Sequence, residues 1–540
     1  MKNLRELLEN RVAESPDKIF LFSEIDGREF SYSDFDKTVN RIANLLKGLG
    51  VKKGDRVSLL LQNCPEYILF YFACFKIGAL AGPVNSLLKS QEIKYVLNNS
   101  EAAVLVTEPL FWHQIEPIRN ELEFLREIVV IDDSLEGALD FRQLLLKQSD
   151  VQRPVRLLTA GNSGNLTACR TLSEELEETE LDLDDEAIII YTSGTTGKPK
   201  GVLLTHRNLI ANARQITEWL KFTKDDRLLC IMPLFHMNAV SVTTMSPLYA
   251  GASMVLSRKF SASRHWKIIH DYKVTSFGSV ATMLSMLLNA YPDGIPEGLD
   301  ISSLRFALCG SAPVPVEVIK RFEARFNCPL IEGYGLSEST CRSTFNPPDE
   351  RRRPGSVGLP IGNEMKIFDD DDNELGPGQI GEIVLRGENI MKGYFKNEEA
   401  TARAFRSGWF HTGDVGYRDE DGYYYIIDRK SDMIIRGGEN IYPREIDEAL
   451  YQHPRIKDAA TIGVPDELYG EEVKAYVVLK DGEECSEAEI IDFCRQRLAD
   501  YKCPKTIEFL KEIPKGPTGK LLKRELKAGA NPGSQLSGQE

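Results

Sequence analysis

The chain has no paired-cysteine motif, no excess of positive charge and no long uncharged apolar run. Its 540 residues include 10 cysteines, and no two of them form a CxxC pair, which argues against a cysteine metal site and favours reduced thiols in the cytosol. Lysine and arginine total 66 against 81 aspartates and glutamates, a net charge of −15. An acidic chain does not attract nucleic acid or an anionic membrane through its overall field.

A leader or a membrane span is not expected either. The first fifteen residues, MKNLRELLENRVAES, are charged throughout and lack the apolar core of a signal peptide. The most apolar stretch, residues 67–84, is interrupted by Lys76 and Pro83. We predict a buried helix there that begins at Pro65 and ends near Gly78, followed by a core strand. These features favour a cytoplasmic protein without a membrane span.

Alternating helix and strand patterns predict an α/β fold. Ser33 is the predicted cap of a helix whose apolar face runs from Phe35 to Leu49 and which ends at Gly50. Helical stretches separate several short apolar runs, which favours buried sheets that are largely parallel. The predicted strands are 57–61, 80–84, 103–106, 128–131, 188–191, 228–232 and 306–308.

So long a chain requires at least two domains. The pattern changes after Tyr425, where residues 428–432 are wholly polar. A smaller unit with helix, strand and helix patterns follows, at 445–450, 474–479 and 490–498. We therefore predict a large multi-sheet α/β domain at 1–430, a small α+β domain at 431–527 and a disordered tail at 528–540.

One loop carries a chemical signal. Residues 191–201, YTSGTTGKPKG, follow a predicted strand and combine hydroxyl side chains, three glycines and two lysines. Glycines let backbone N–H groups approach a ligand, and clustered N–H groups and lysines suit a polyphosphate. The spacing is not that of a Walker A loop, because Pro199 follows Lys198. From composition alone, a surface turn of small residues stays open as an alternative.

Five ordered segments resemble motifs of the acyl-adenylate-forming superfamily, which contains acyl-CoA synthetases, luciferase and peptide-synthetase adenylation domains. The segments are YTSGTTGKPKG (191–201), EGYGLSES (332–339), GWFHTGD (408–414), DRKSDMIIRGGENIYPREI (428–446) and PKGPTGKLLKREL (514–526). The resemblance covers nearly the whole chain and is closest to the AMP-forming acyl-CoA synthetases. It implies a mobile C-terminal domain joined to the large domain by a hinge at Ser431.

The resemblance implies an acid–thiol ligase. A carboxylic acid attacks the α-phosphorus of ATP to give an acyl-adenylate and pyrophosphate, and CoA then takes the acyl group and releases AMP. ATP, Mg²⁺, CoA and a small-molecule acid are therefore the implied cofactors and partners, and a homodimer is allowed. Because negative charge accumulates around phosphorus in the first step, positioned cations and N–H donors are expected to dominate catalysis.

The resemblance also assigns the nucleotide site. The residues expected to wrap the β- and γ-phosphates are Thr192, Ser193, Gly194, Thr195, Thr196, Lys198 and Lys200. Those expected around adenine and the α-phosphate are Gly310, Ser311, Ala312, Gly333, Tyr334 and Ser337. Asp414 would accept hydrogen bonds from the ribose, with Arg429 beside it, and Glu338 would hold Mg²⁺, which favours one or two carboxylates with phosphates. Taken singly, either carboxylate is more often a solvated group.

The implied catalytic residues are Lys520, His236 and Glu338. Lys520 would bridge the acid and the α-phosphate during adenylation, although alone it is an ordinary surface lysine. His236 follows an aromatic residue, as at the junction of acyl pocket and CoA tunnel in the family, although a lone histidine is more often structural. Gly437 and Gly438 would line the CoA tunnel after the small domain rotates, since the absence of a Cβ leaves room there.

The family pattern places the acyl site at residues 236–240, 278–281, Gly310 and 333–342. Its mixed lining of small and polar groups predicts a small, medium-chain, branched or aryl acid, because long chains need a more apolar wall. Arg342 could pair with a second charge on the substrate, but we expect it to face solvent or an acidic residue.

Two other functions stay open at this point. An adenylation enzyme could load a carrier protein, although no carrier domain is recognised after Leu526. An inactive homologue could act as a binding module, although the intact residues of the motifs argue against it. Acid-dependent pyrophosphate exchange separates an enzyme from a binding module.

Overall fold

A computed structural model describes residues 1–146, 174–192, 199–310, 314–516 and 521–530. The strands are β1 (Ile19–Ser23), β2 (Glu29–Ser31), β3 (Arg56–Leu60), β4 (Leu80–Pro83), β5 (Ala102–Thr107), β6 (Glu127–Val130), β7 (Leu139–Asp140), β8 (Glu186–Thr192), β9 (Lys200–Thr205), β10 (Arg227–Cys230), β11 (Ser253–Leu256), β12 (Ser276–Ser279), β13 (Phe306–Cys309), β14 (Leu330–Tyr334), β15 (Thr344–Phe345), β16 (Leu359–Pro360), β17 (Glu364–Phe368), β18 (Gly381–Arg386), β19 (Gly393–Tyr394), β20 (Phe405–Arg406), β21 (Trp409–Arg418), β22 (Tyr424–Arg429), β23 (Ile434–Arg436), β24 (Glu439–Ile441), β25 (Ile456–Asp466), β26 (Gly470–Leu479) and β27 (Thr506–Phe509). The helices are α1 (Leu4–Glu14), α2 (Tyr32–Gly48), α3 (Pro65–Ile77), α4 (Ser90–Asn99), α5 (Trp112–Ile115), α6 (Phe141–Leu146), α7 (His206–Leu220), α8 (Ser246–Ala250), α9 (Ala262–Tyr272), α10 (Ala281–Ala290), α11 (Val316–Phe326), α12 (Glu398–Ala404), α13 (Pro443–Tyr451), α14 (Glu487–Arg495) and α15 (Lys523–Ala530), with a π-helical segment at Asn238–Met245.

The first helices follow the sequence signals with one correction. The cap of α2 is Ser31, whose side chain accepts a hydrogen bond from the backbone of Asp34, so the prediction of Ser33 is wrong by half a turn. The helix α3 begins at Pro65, is buried along its whole length and ends at Gly78, which has a φ of 71°. Among the described residues no helix is both long and apolar enough to cross a bilayer.

Two large sheets form the body of the molecule, and they are built around buried parallel strands as predicted. One has the order β16-β15-β14-β13-β12-β10-β11-β1-β2, and the other has the order β19-β9-β8-β4-β3-β5-β6-β7. In the first sheet β10 to β14 run parallel, which brings the carboxyl ends of β12, β13 and β14 to one edge. Ligands bind at such edges in α/β folds.

A third sheet is antiparallel, and the sequence reading did not separate it from the parallel ones. Its strand order is β17-β18-β21-β20, and β22 pairs with β21. The register places Asp414 of β21 opposite Arg429 of β22.

The C-terminal part forms a smaller sheet of its own. Its order is β24-β23-β26-β25, and β27 pairs parallel with β26. Helices α13 and α14 pack with this sheet around a separate apolar core that includes Ile446, Val473 and Ile490. The large α/β domain and the smaller α+β domain confirm the predicted fold class. The boundary at Ser431 stays a prediction.

Candidate active site

The carboxyl ends of β13 and β14 form the floor of a cavity of about 260 Å³. Gly310 directly follows β13, and Gly333 and Tyr334 end β14. The three predicted nucleotide-site residues therefore line one cavity. Ser311 and Ala312 continue from Gly310 but lie outside the described residues.

A hydrogen-bonded group of three side chains forms one wall. The Tyr334 hydroxyl donates to Asp414 Oδ2 at 2.6 Å, and Arg429 Nε lies 3.1 Å from Asp414 Oδ1. Asp414 is buried, and its charge raises the pKa of Arg429. The β21–β22 register and the end of β14 bring these residues together from two sheets. Their arrangement fixes a carboxylate at the edge of the cavity.

A second group surrounds Glu338. The Tyr394 hydroxyl donates to Glu338 Oε1 at 3.1 Å, and Lys200 Nζ lies 5.1 Å from the centre of the Tyr394 ring. Burial raises the pKa of the Glu338 carboxyl. A bound metal ion would favour the ionised form of the Glu338 carboxyl. This position therefore fits a metal that takes its other ligands from phosphate oxygens. The described residues contain no cluster of three or more metal-ligating side chains.

The predicted phosphate loop connects two paired strands. β8 and β9 are antiparallel, and Thr192 at the end of β8 pairs with Lys200 at the start of β9. The pairing of β9 with β19 then brings Tyr394 close to Lys200. Ser337 lies in the short turn that also holds Glu338. The remaining predicted loop residues lie outside the described residues: Ser193, Gly194, Thr195, Thr196 and Lys198.

The C-terminal domain contributes part of the cavity wall. Side chains of α13 and of the segments on either side of residues 517–520 reach its wall, among them Arg444, Lys515 and Leu521. The Arg444 guanidinium donates to the backbone oxygen of Ile426 at 2.5 Å. Lys520 lies outside the described residues, but both chain segments that flank it line the cavity.

Seven of the described predicted residues do not line this cavity. Thr192, Lys200, Ser337 and Glu338 belong to the two phosphate-side groups described above, and the other three are His236, Gly437 and Gly438. His236 lies in the loop after β10, and its ring is 4.6 Å from that of Phe235. Burial lowers the pKa of His236 to about 4, so the ring is neutral at pH 7. Gly437 and Gly438 form the exposed turn between β23 and β24, with φ values of 60° and 91°.

The surroundings of Arg342 differ from those predicted from the sequence. Its side chain is only 1% exposed, and among the described residues it forms no ion pair. The expectation that it faces solvent or an acidic residue is therefore wrong. Thr340 has a φ of 67°, unusual for a β-branched residue, and residues 339–344 around this turn are all buried.

Sequence reasoning missed Glu332, Tyr394 and Arg444. Glu332 and Arg444 lie inside quoted motifs, where an unassigned charged residue was the available signal. Tyr394 lies in no quoted motif, and only the pairing of β19 with β9 brings it to Glu338.

Comparisons with known proteins agree with this geometry. The family model described as AMP-binding enzyme matches residues 8–395, and the AMP-binding enzyme C-terminal domain matches residues 445–520. A long-chain-fatty-acid–CoA ligase of Bacillus subtilis is 36% identical over 536 residues, which cover 97% of this chain and 94% of the relative. A sulfoacetate–CoA ligase of Cupriavidus necator is 35% identical over 526 residues, covering 97% of each chain.

A solved structure is similar along the whole chain. The anthranilate CoA ligase AuaEII in complex with anthranoyl-AMP superposes with a TM-score of 0.86 at 31% identity. The match covers 99% of this chain and 98% of that one.

Proposed function

The chain belongs to the AMP-binding enzyme family, and on that premise we propose that it activates a small, medium-chain, branched or aryl carboxylic acid. It is an AMP-forming acid–thiol ligase, and ATP and CoA are its substrates. The observation that carries the proposal is the cavity at the ends of β13 and β14, which has a buried Asp414 in its wall and is closed by the C-terminal domain.

We assign the adenosine half of ATP to the wall formed by Tyr334, Asp414 and Arg429. The Asp414 carboxylate accepts hydrogen bonds from the ribose hydroxyls, and Arg429, whose Nε lies 3.1 Å from Oδ1, holds that carboxylate in place. The ring of Tyr334, at the end of β14, offers a face on which adenine stacks. A Cβ at Gly310 or Gly333 would collide with the Arg342 or Phe345 side chain, so both positions require glycine.

The phosphates belong to the β8–β9 loop. Thr192 and Lys200 lie at its two ends, and the loop residues between them supply N–H groups, hydroxyls and Lys198. Glu338 would hold Mg²⁺, whose charge neutralises the phosphate oxygens when it is bound. Ser337, next to Glu338, is assigned to the α-phosphate.

We assign the charge that bridges the acid and the α-phosphate to Lys520. Removing one such donor typically lowers the rate by roughly 10²–10³-fold. Lys520→Ala is therefore expected to lose acid-dependent pyrophosphate exchange by at least that factor while it still transfers the acyl group from supplied acyl-adenylate to CoA. Stopped-flow or quench measurements of each half-reaction check this, and normal exchange by the variant contradicts the assignment.

The thioester step requires CoA to reach the adenylate. We propose that the C-terminal domain rotates at Ser431, moves Lys520 away and presents the turn at Gly437 and Gly438 to the CoA arm. That turn is exposed and lacks side chains, which suits close approach of a narrow ligand. The neutral, buried ring of His236 supports a steric gate more than a charged one.

We also propose that the protein acts in the cytoplasm as a homodimer. The resemblance and the acidic sequence, which has no cysteine pair, support this proposal. Light scattering coupled to gel filtration tests the dimer, because a mass near 60.7 kDa identifies a monomer.

A further inference from the structure

Arg342 is a buried cation without a carboxylate partner. It is 1% exposed, and among the described residues its side chain makes one hydrogen bond, from Nη1 to the backbone oxygen of Gly333 at 3.3 Å. Its Nε has no hydrogen-bond partner there, and its Cζ lies 5.3 Å from the centre of the Phe345 ring. A guanidinium offers five N–H donors, and a buried charge is costly unless an opposite charge or several acceptors surround it. This side chain is therefore incomplete without a further acceptor.

The guanidinium packs beneath Gly310, one of the residues that line the active-site cavity. A Cβ atom built on Gly310 would lie 2.3 Å from Arg342 Nη1, so the group rests directly against the Gly310 backbone. Gly310 and Gly333 both line the cavity. The absence of a side chain at position 310 therefore makes room for the guanidinium.

The backbone at Arg342 is held on both sides. Its N–H donates to Asn212 Oδ1 at 3.3 Å, and the Asn212 amide donates back to the Arg342 carbonyl at 2.7 Å. Thr340, two residues earlier, adopts its left-handed conformation while its hydroxyl donates to the backbone of Asn389 at 2.6 Å. Strained backbone of this kind persists where surrounding contacts enforce it, often at ligand sites.

A second unpaired polar group lies on the same side of the sheet. Asn238 is 5% exposed, and neither its amide nitrogen nor its amide oxygen has a partner among the described residues. Its oxygen lies 2.9 Å from the place a Cβ on Gly278 would occupy. Gly278 pairs with Leu308, two residues before Gly310, and alternation along a strand places Leu308 and Gly310 on one face.

Resting on the ligase activity proposed above, we propose that the acyl site takes an acid with a second anionic group, and that Arg342 and Asn238 bind that group. A distal carboxylate and a sulfonate share a negative charge carried by several acceptor oxygens, planar in the carboxylate and tripodal in the sulfonate. The guanidinium fork matches such oxygens, and the Asn238 amide adds a donor. An acid with a methyl group at that end leaves both side chains unpaired in a buried site, which disfavours it.

The same arginine could instead serve the reacting carboxylate or the α-phosphate, which every substrate of the enzyme shares. The two roles predict different effects of substituting Arg342. Loss of a distal-anion site penalises only acids with the second charge, whereas loss of a shared contact penalises all acids alike.

The test compares matched pairs of acids in CoA-dependent AMP release. Each pair differs only at the distal end: butanoate and succinate, pentanoate and glutarate, and butanoate and 3-sulfopropanoate. We expect wild-type kcat/KM to favour the doubly charged member by on the order of 10²-fold in at least one pair. The dicarboxylate and sulfonate arms then identify which anion is preferred.

Variants test whether Arg342 causes the preference for the doubly charged acid. Arg342→Met is expected to reduce the preference by on the order of 10²-fold, and Arg342→Lys should restore part of it because the charge returns without the fork. Arg403→Met is the matched control, since Arg403 is exposed and its one ion pair within the described part of the chain is with Glu399. A separate readout guards against misfolding: in the absence of any acid, the melting temperature of Arg342→Met should not fall, because an unpaired buried cation has been removed.

Each outcome decides a different claim. Wild-type preference for the singly charged acid in every pair, or equal losses for both members in Arg342→Met, overturns the distal-anion site and leaves the ligase activity standing. A protein that releases no AMP with any acid and CoA contradicts the proposed function itself, and the distal-anion site with it.

Discussion

Glu332 lies buried in the middle of β14, in the wall of the cavity and beside the C-terminal domain. The backbone N–H of Gly355 donates to its Oε2 at 3.0 Å. Burial raises the pKa of this carboxyl to about 8, although Gly355 and Arg444 act in the opposite direction. The folded protein therefore holds a proton here at neutral pH that the unfolded chain releases above pH ~4.3.

The raised pKa predicts a pH-dependent stability. Between pH 5 and 8 the folded state binds more protons than the unfolded state, so the contribution of Glu332 is present at low pH and lost as the pH rises through 8. In Glu332→Gln the free energy of unfolding should decline less steeply with pH, by up to ~1.4 kcal/mol per pH unit. Urea denaturation from pH 5 to 8 measures both slopes, and equal slopes contradict the assignment.

At the residue scale, the motifs predicted which residues belong to the site better than they predicted what surrounds each side chain. Asp414 and Arg429 were predicted from the resemblance, and the structure places their side chains 3.1 Å apart. The environment of Arg342 could not be read from the sequence, because its burial depends on the turn at Thr340 and on the bare backbone of Gly310. Those contacts join residues from separate strands, and local patterns carry no information about them.

Among the elements, helix α3 has a sharply defined end. Gly78 caps it with a φ of 71°, and a Cβ there would lie 2.7 Å from a side-chain carbon of Leu181. Glycine adopts this left-handed conformation without the penalty that other residues incur. The helix end is thus fixed by conformation and by close packing together.

Gly78→Ala should therefore destabilise the protein more than the same substitution at a left-handed glycine without close neighbours. We expect a loss of about 1–3 kcal/mol, from the backbone conformation and from the contact with Leu181. Gly27→Ala is the matched control, since Gly27 has a φ of 75° and no atom within 4 Å of its would-be Cβ. Denaturant melts compare the two, and an equal loss in both variants would show that the packing contact contributes nothing.

The sequence patterns were most informative for long or fully apolar elements. The helix at α3 and seven strands of the two large sheets were predicted with end points shifted by one or two residues, whereas the strands β1, β9, β11, β12 and β14 were not predicted. The antiparallel sheet of β17, β18, β20, β21 and β22 was not predicted as a separate layer, and its shortest strand, β20, has two residues and no periodicity. Sheet order itself depends on contacts between distant segments.

At the scale of the whole molecule, the C-terminal domain is held against the large domain through α13. The Arg444 side chain donates to Ile426, and its backbone N–H donates to Asp428 Oδ2 at 3.0 Å. Both acceptors belong to β22, next to Arg429. A domain rotation of the kind proposed for the CoA step would break the side-chain contact.

Arg444→Ala should therefore separate the two half-reactions. Loss of a hydrogen bond from a charged donor, worth about 1.5–3 kcal/mol, is expected to slow adenylation roughly 10- to 100-fold while transfer from supplied acyl-adenylate to CoA is retained. Arg495→Ala is the control, because Arg495 is exposed on α14 and pairs with Asp492 within the same helix. Equal losses in both half-reactions would argue against a contact specific to this arrangement.

The central claim is tested most directly by AMP release from ATP across a panel of carboxylic acids, each assayed with and without CoA. The account predicts release that requires both a particular acid and CoA, with acyl-CoA formed in equal amount. Acid-dependent pyrophosphate release that does not respond to CoA, or no turnover with any acid of the panel, would contradict it.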